Sequence, residues 1–312
     1  MSTQLYAPRR PSRQAARLFV SAALVSVLVA AGCSVDTSTE DPATSSSDTT
    51  DDTTDTTVDA EPSADAATGS TATGLTCAET AALFVTRGSA NADLDDPEVS
   101  ATCEGDDLAI TSNGIPDYTY VETSPGSPQA ADYSFTITST PTMADEVTAV
   151  PDLGIAAVAL DGVPIYGPTE GTGGDVNSLE GALSECGSHN GPTGFHIHQV
   201  LSSDSTDCLF TPAEVAQEPQ LVGYALDGYP IYTGADQYTS SWELTDESLF
   251  ASDTWAAHSY VEGSGDLDQC NGLTDADGTY AYYTTATFPY VIGCYAGVVD
   301  VSAAGGGGGG PR

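Results

Sequence analysis

The chain has no lysine. Its 312 residues hold six arginines against 45 aspartates and glutamates, with four histidines, two tryptophans and two methionines. Phosphate binding needs Lys and Arg, so this scarcity excludes nucleic acid as a partner. It also disfavours electrostatic docking on an anionic bilayer, leaving a covalent lipid as the means of attachment. Apolar runs are equally scarce. The one long stretch, Leu18 to Ala31, is too short for a stable membrane span. Gly-x-Ser-x-Gly, His-Glu-x-x-His and phosphate-cradling Gly-rich loops are all missing, and so is the EF-hand pattern of a calcium loop.

The apolar stretch follows Arg9, Arg10, Arg13 and Arg17 and ends Ala30-Ala31-Gly32-Cys33. A basic segment, a short apolar core and small residues at the cut read as a secretory signal over residues 1–32. Arg9-Arg10 lacks the apolar pair of a twin-arginine signal, so general secretion is expected. Cysteine directly after Ala-Gly resembles the lipobox of bacterial lipoproteins, which makes Cys33 the expected lipidation site and places the protein at the cell envelope, facing outward. After cleavage, Arg87 and Arg312 face 45 carboxylates, 2 − 45 = −43, a charge that needs screening by salt or divalent cations. Residues 33–74 are Ser, Thr, Asp and Ala with almost nothing large and apolar, the composition of a disordered tether. Residues 303–312 form a Gly-rich flexible tail. One folded region, 75–302, lies between.

That region reads as mainly β with a minor helix. Leu108–Ser112 and Tyr133–Thr138 alternate with a period of two and are rich in β-formers, and Asn113–Asp117 between them is a turn cluster. Cys77–Val85 suits a short helix. The main organising fact is a repeat. Ala159-Leu-Asp-Gly-Val-Pro-Ile-Tyr166 returns as Ala225-Leu-Asp-Gly-Tyr-Pro-Ile-Tyr232, each copy a hairpin with an Asp-Gly turn, which casts Asp161 and Asp227 as turn formers rather than catalysts. Six cysteines follow Cys33, an even number that argues for three disulfides in an exported chain; fifteen pairings are possible. Near-equal spacing in the two copies suggests Cys186–Cys208 and Cys270–Cys294 as one staple per repeat, leaving Cys77 with Cys103.

Three of the four histidines crowd into 189–198. On a strand His196 and His198 project from one face with Cα atoms ~6.6 Å apart, close enough for both imidazoles to reach one ion. His189 is the natural third ligand. His258, or a carboxylate such as Asp175 or Glu185, could complete the set. Every cysteine of the folded region is committed to a disulfide, so the expected ions are those suited to imidazole, Zn(II) or Cu(II). In the second copy Tyr280 aligns with Phe195, Ala281 with His196 and Tyr283 with His198, so the shape is kept and both imidazoles are lost.

Ser112-Asn-Gly-Ile-Pro116, the two Leu-Asp-Gly-x-Pro-Ile-Tyr hairpins, Leu267-Asp-x-Cys-Asn-Gly272 and Phe288-Pro-Tyr-x-Ile-Gly-Cys-Tyr295 occur here in one order. Together they resemble the YHYH family of exported bacterial proteins over residues 107–299. The resemblance implies an exported protein and brings no reaction with it. The chain departs from the family pattern where Phe195 and Ile197 replace tyrosines, and where Tyr118, Ala281 and Tyr283 stand in place of histidines. Three readings follow: a metal-binding envelope lipoprotein, a metal- or histidine-dependent enzyme acting on a neutral or cationic substrate, and a structural or adhesive module. The first is favoured by the histidine spacing.

Overall fold

In the computed structural model, residues 74–123, 126–204 and 207–300 are described. The signal segment, Cys33, most of the tether and the Gly-rich tail lie outside them. None of the described helices is long and apolar enough to cross a membrane.

In chain order the strands are β1 (Val99–Glu104), β2 (Asp107–Ser112), β3 (Tyr133–Thr138), β4 (Met143–Ala149), β5 (Ile155–Ala159), β6 (Pro164–Tyr166), β7 (Ser188–Gly191) and β8 (Gly194–Ile197). There follow β9 (Leu221–Ala225), β10 (Pro230–Tyr232), β11 (Trp242–Leu244), β12 (His258–Tyr260), β13 (Gly272–Thr274), β14 (Tyr280–Tyr283) and β15 (Cys294–Gly297). Among the described residues the α-helices are single turns: α1 (Cys77–Ala81), α2 (Pro212–Val215) and α3 (Thr254–Ala257). The expected helix at Cys77 is real but shorter than expected. Thr76 and Glu79 cap it reciprocally, and no long apolar stripe follows to extend it.

The repeat builds the main sheet. Its eight strands run β13-β14-β10-β9-β5-β6-β8-β7, an order that reads the same from either end once the two copies are equated. At the centre β5 and β9 pair antiparallel, with Val158 opposite Tyr224, positions that correspond in the two copies. Outward from them β6 pairs β8 and β10 pairs β14, both in parallel, and β7 and β13 form the two edges. The sheet has an internal pseudo-twofold axis through β5 and β9.

Each repeat hairpin turns at Asp-Gly as expected. Gly162 and Gly228 both take φ +87°, their N–H groups donate to Ala159 and Ala225 O, and Asp161 and Asp227 Oδ1 accept from the N–H two residues on. Antiparallel β1-β2-β3 covers one face of the centre, through Leu108, Ile110, Phe135 and Ile137 against Val158 and Tyr224. The other face packs Ile165, Ile197 and Ile231 against Tyr282, Ile292 and Tyr295, the last on β15, which pairs with β4. Burial on both faces explains why β5 is apolar at every position rather than alternating. The disulfides are Cys77–Cys103, Cys186–Cys208 and Cys270–Cys294, the pairing that the spacing suggested. Three such bonds belong to a chain that folds outside the reducing cytoplasm.

Candidate metal centre

At one edge of the sheet, β7 and β8 form a tight hairpin in which His189 lies directly opposite His196. The chain leaves β8 at Ile197, and His198 follows on the same side as His196. Phe195 and Ile197 point the other way into the core, so two apolar anchors fix the face on which the imidazoles emerge. Gly191 allows the hairpin to close over the site. A Cβ there would meet His196 Cε1 at 2.7 Å.

The three rings converge through the same atom. His189 Nε2 is 2.9 Å from His196 Nε2, which is 3.0 Å from His198 Nε2. A fourth group joins them: Glu170 Oε1, 3.1 Å from His189 Nε2 and 3.3 Å from His198 Nε2. All four ligand atoms lie within 4.8 Å of one another. Glu170 follows β6, in a turn whose first carbonyl also serves the site. Gly167 O accepts from His198 Nδ1 at 2.6 Å, and Gly194 O holds His196 Nδ1 at 2.9 Å. Tyr166 stacks on His196 with ring centroids 4.0 Å apart and fixes its plane.

These bonds decide the tautomers. A carbonyl can only accept, so His196 and His198 each carry their proton on Nδ1 and turn an Nε2 lone pair inward. Burial, and then the neighbouring His198 and His189, push the His196 pKa well below the usual imidazole value, so that ring stays neutral. The hydrogen bond from His189 is the first cause that holds the Glu170 carboxyl well below its usual range. Two inward lone pairs and a carboxylate oxygen therefore face one another at 3.0–3.3 Å, with His189 able to place one proton among them. Such a cluster of acceptors is complementary to a cation.

The structure does not bring the fourth histidine here. His258 Nδ1 bonds Thr254 O at 2.8 Å, and its ring stacks on Phe288 at 4.0 Å, an aromatic packing role at the start of β12. Asp175 is buried and committed, accepting from Tyr290 Oη, Thr254 Oγ1 and the Asn177 amide. Glu185 accepts from Ser203 Oγ. The carboxylate that does reach the rings, Glu170, was missed from sequence. The signal available was its place four residues past Tyr166, matched in the second copy by Asp236 four past Tyr232.

The second copy confirms the alignment of the repeats and shows what it lacks. Ile231 pairs with Tyr282 as Ile165 pairs with Ile197. Ala281 and Tyr283 accordingly occupy the places of His196 and His198, and Leu273, opposite Ala281, that of His189. Tyr118, also in a histidine's place by resemblance, is buried and tilted against Phe195, on the core side of β8.

Comparison with curated proteins and with solved structures returns no match at a significant level. The family model described as "YHYH protein" matches residues 134–297, more than half of the chain, and spans both hairpins, all four residues of the cluster and the last two disulfides. The chain belongs to the YHYH family.

Proposed function

We propose that this protein is a metal-binding lipoprotein of the cell envelope that holds one Zn(II) or Cu(II) ion through His189, His196, His198 and Glu170. The observation that carries the reading is the set of inward lone pairs at His196 and His198, fixed by Nδ1–carbonyl bonds and left facing a carboxylate. The dimensions fit. A tetrahedral ion with bonds of about 2.0–2.1 Å needs ligand atoms about 3.3 Å apart, and here the closest pairs are 2.9–3.3 Å. The carbonyl bonds to Nδ1 are the outer-shell partners that orient metal-bound imidazoles. Imidazole and carboxylate without thiolate favour Zn(II) or Cu(II) over Cu(I). The bound ion would act as a Lewis acid and would tie β6, β7 and β8 together at the sheet edge.

Titration calorimetry with Zn(II) and Cu(II), on protein made without a histidine tag, tests the site. The wild type should bind one ion, and His196→Ala should bind none. Equal affinity in the two would make the cluster structural only. Attachment through Cys33 rests on the Ala-Gly-Cys sequence that ends the signal segment. Cys33→Ser should move the protein from the membrane fraction to the soluble one or stall its processing; a processed mutant that stays with the membrane would refute the anchor.

A further inference from the structure

The four ligands are not held alike. His189 and His196 are cross-strand partners in a hydrogen-bonded hairpin, and His196 and His198 are each pinned by a carbonyl at Nδ1. Their side chains are almost wholly buried: His189 is 9% exposed and His198 1%. Glu170 is 21% exposed, and its second oxygen accepts from the amide of its neighbour Gly171, at 3.1 Å. Its backbone, by contrast, is fixed. Glu170 and Gly174 close a turn through Glu170 N–H to Gly174 O and Gly173 N–H to Glu170 O. The far end is locked against residues 250–254 by Asp175 N–H to Phe250 O and Thr254 N–H to Gly173 O. A Cβ on Gly174 would collide with the Ala251 backbone. Glu170 can therefore leave the rings by side-chain rotation alone, whereas His196 and His198 are tethered at Nδ1 and His189 is more deeply buried than Glu170.

Resting on the metal reading above, we propose that Glu170 is an exchangeable cover over a fourth coordination position, and that the ion on the three histidines takes a small anion of carboxylate size, or water, when Glu170 turns outward. Catalytic metal sites differ from structural ones in keeping such a position. The ligand is limited to what the ion itself can hold. Arg87, the one arginine or lysine among the described residues, is already engaged with Asp117 and the Leu209 carbonyl. Polyanions thus find no second cationic contact, and a compact monoanion fits.

The test uses cobalt(II) in place of the native ion and azide as the anion, followed by visible d–d absorption on wild type, Glu170→Ala and Glu170→Gln. All three variants should take up cobalt. Azide should change the spectrum saturably, with apparent affinity about tenfold tighter in Glu170→Ala than in wild type if the carboxylate covers the position about nine-tenths of the time. Glu170→Gln, a weaker ligand of the same shape, should fall between. Cobalt uptake with azide-silent spectra in all three would overturn the proposal, as would complete loss of cobalt from both variants, since Glu170 would then be a permanent fourth ligand. Failure of the wild type itself to take up cobalt, zinc or copper would instead remove the metal reading on which the proposal rests.

Discussion

Asp161 offers a quantitative test of how the repeat is built. Its counterpart Asp227 is buried but well supplied. Oδ1 accepts from Tyr229 N–H, and Oδ2 accepts from Tyr282 Oη at 2.5 Å and Gly297 N–H at 2.9 Å. In the first copy the place of Tyr282 is taken by Ile197, which has no hydroxyl to give. Asp161 Oδ1 keeps its bond from Val163 N–H, but Oδ2 has no well-formed partner. Burial, and then the Asp117 carboxylate, raise the Asp161 pKa to about 7, against weaker help from the Val163 amide, Arg87 and the Asp117 amide. Between the ordinary carboxyl value of 3.8 and about 7 the folded chain keeps a proton that the unfolded chain has released. Stability from this residue therefore falls as pH rises through that window and is level above it. About three pKa units correspond to about 4 kcal/mol. Asp161→Asn keeps the turn acceptor and removes the charge. Its new amide N–H stands where Oδ2 has no partner, and leaving that N–H without an acceptor would cost about 1–3 kcal/mol. The variant should be more stable than wild type by roughly 1–3 kcal/mol at pH 8, and the gap should shrink by about 2–3 kcal/mol at pH 5. In a domain of this size the pH 8 gain is a rise of about 2–12 °C in Tm. Urea or thermal melts at the two pH values read it directly. Asp227→Asn is the control. Its amide would meet a donor on whichever side it faced, so it should destabilise at both pH values. An Asp161→Asn variant no more stable than wild type at pH 8, with a gap independent of pH, would refute the reasoning.

Two further outcomes follow from the charge and the duplication. The described region carries one arginine and no lysine against its many carboxylates, so Tm should rise from low salt to molar NaCl as repulsion is screened; a Tm that falls with added salt contradicts this. In the second copy, Leu273→His, Ala281→His and Tyr283→His together should create a weak second Zn(II) site, with Asp236 in Glu170's place. Calorimetry should then give two ions per chain, and an unchanged stoichiometry of one would show that the two halves do not present these positions alike.

What could be read in advance depended on whether neighbours in sequence are neighbours in space. The hairpins, the one-sided pair His196 and His198 and the disulfides all follow from period-two geometry and from a repeat compared with itself. His189 was legible for the same reason, since a hairpin folds it back on His196. His258 was not. It is distant in sequence from the other three, and only the packing of Phe288 reveals that its ring serves as an aromatic plate. Asp175 looked available among the loops but is consumed by Tyr290 and Thr254, from far along the chain. Glu170 lies in a turn reached through the parallel pairing of β6 with β8, and that pairing leaves no period in the sequence.

The twofold relation across β5 and β9 is the geometry of an isologous homodimer contained within one chain. A single repeat standing alone would expose the β5 edge, and two identical copies could satisfy it only by keeping the same sequence on both sides. Covalent fusion removes that constraint. Each half can then change without its partner, and a set of ligands can decay in one half while the seam that holds the halves together is retained. The difference between His196 and His198 in one half and Ala281 and Tyr283 in the other, on a scaffold still paired strand for strand, is what such a release from symmetry permits.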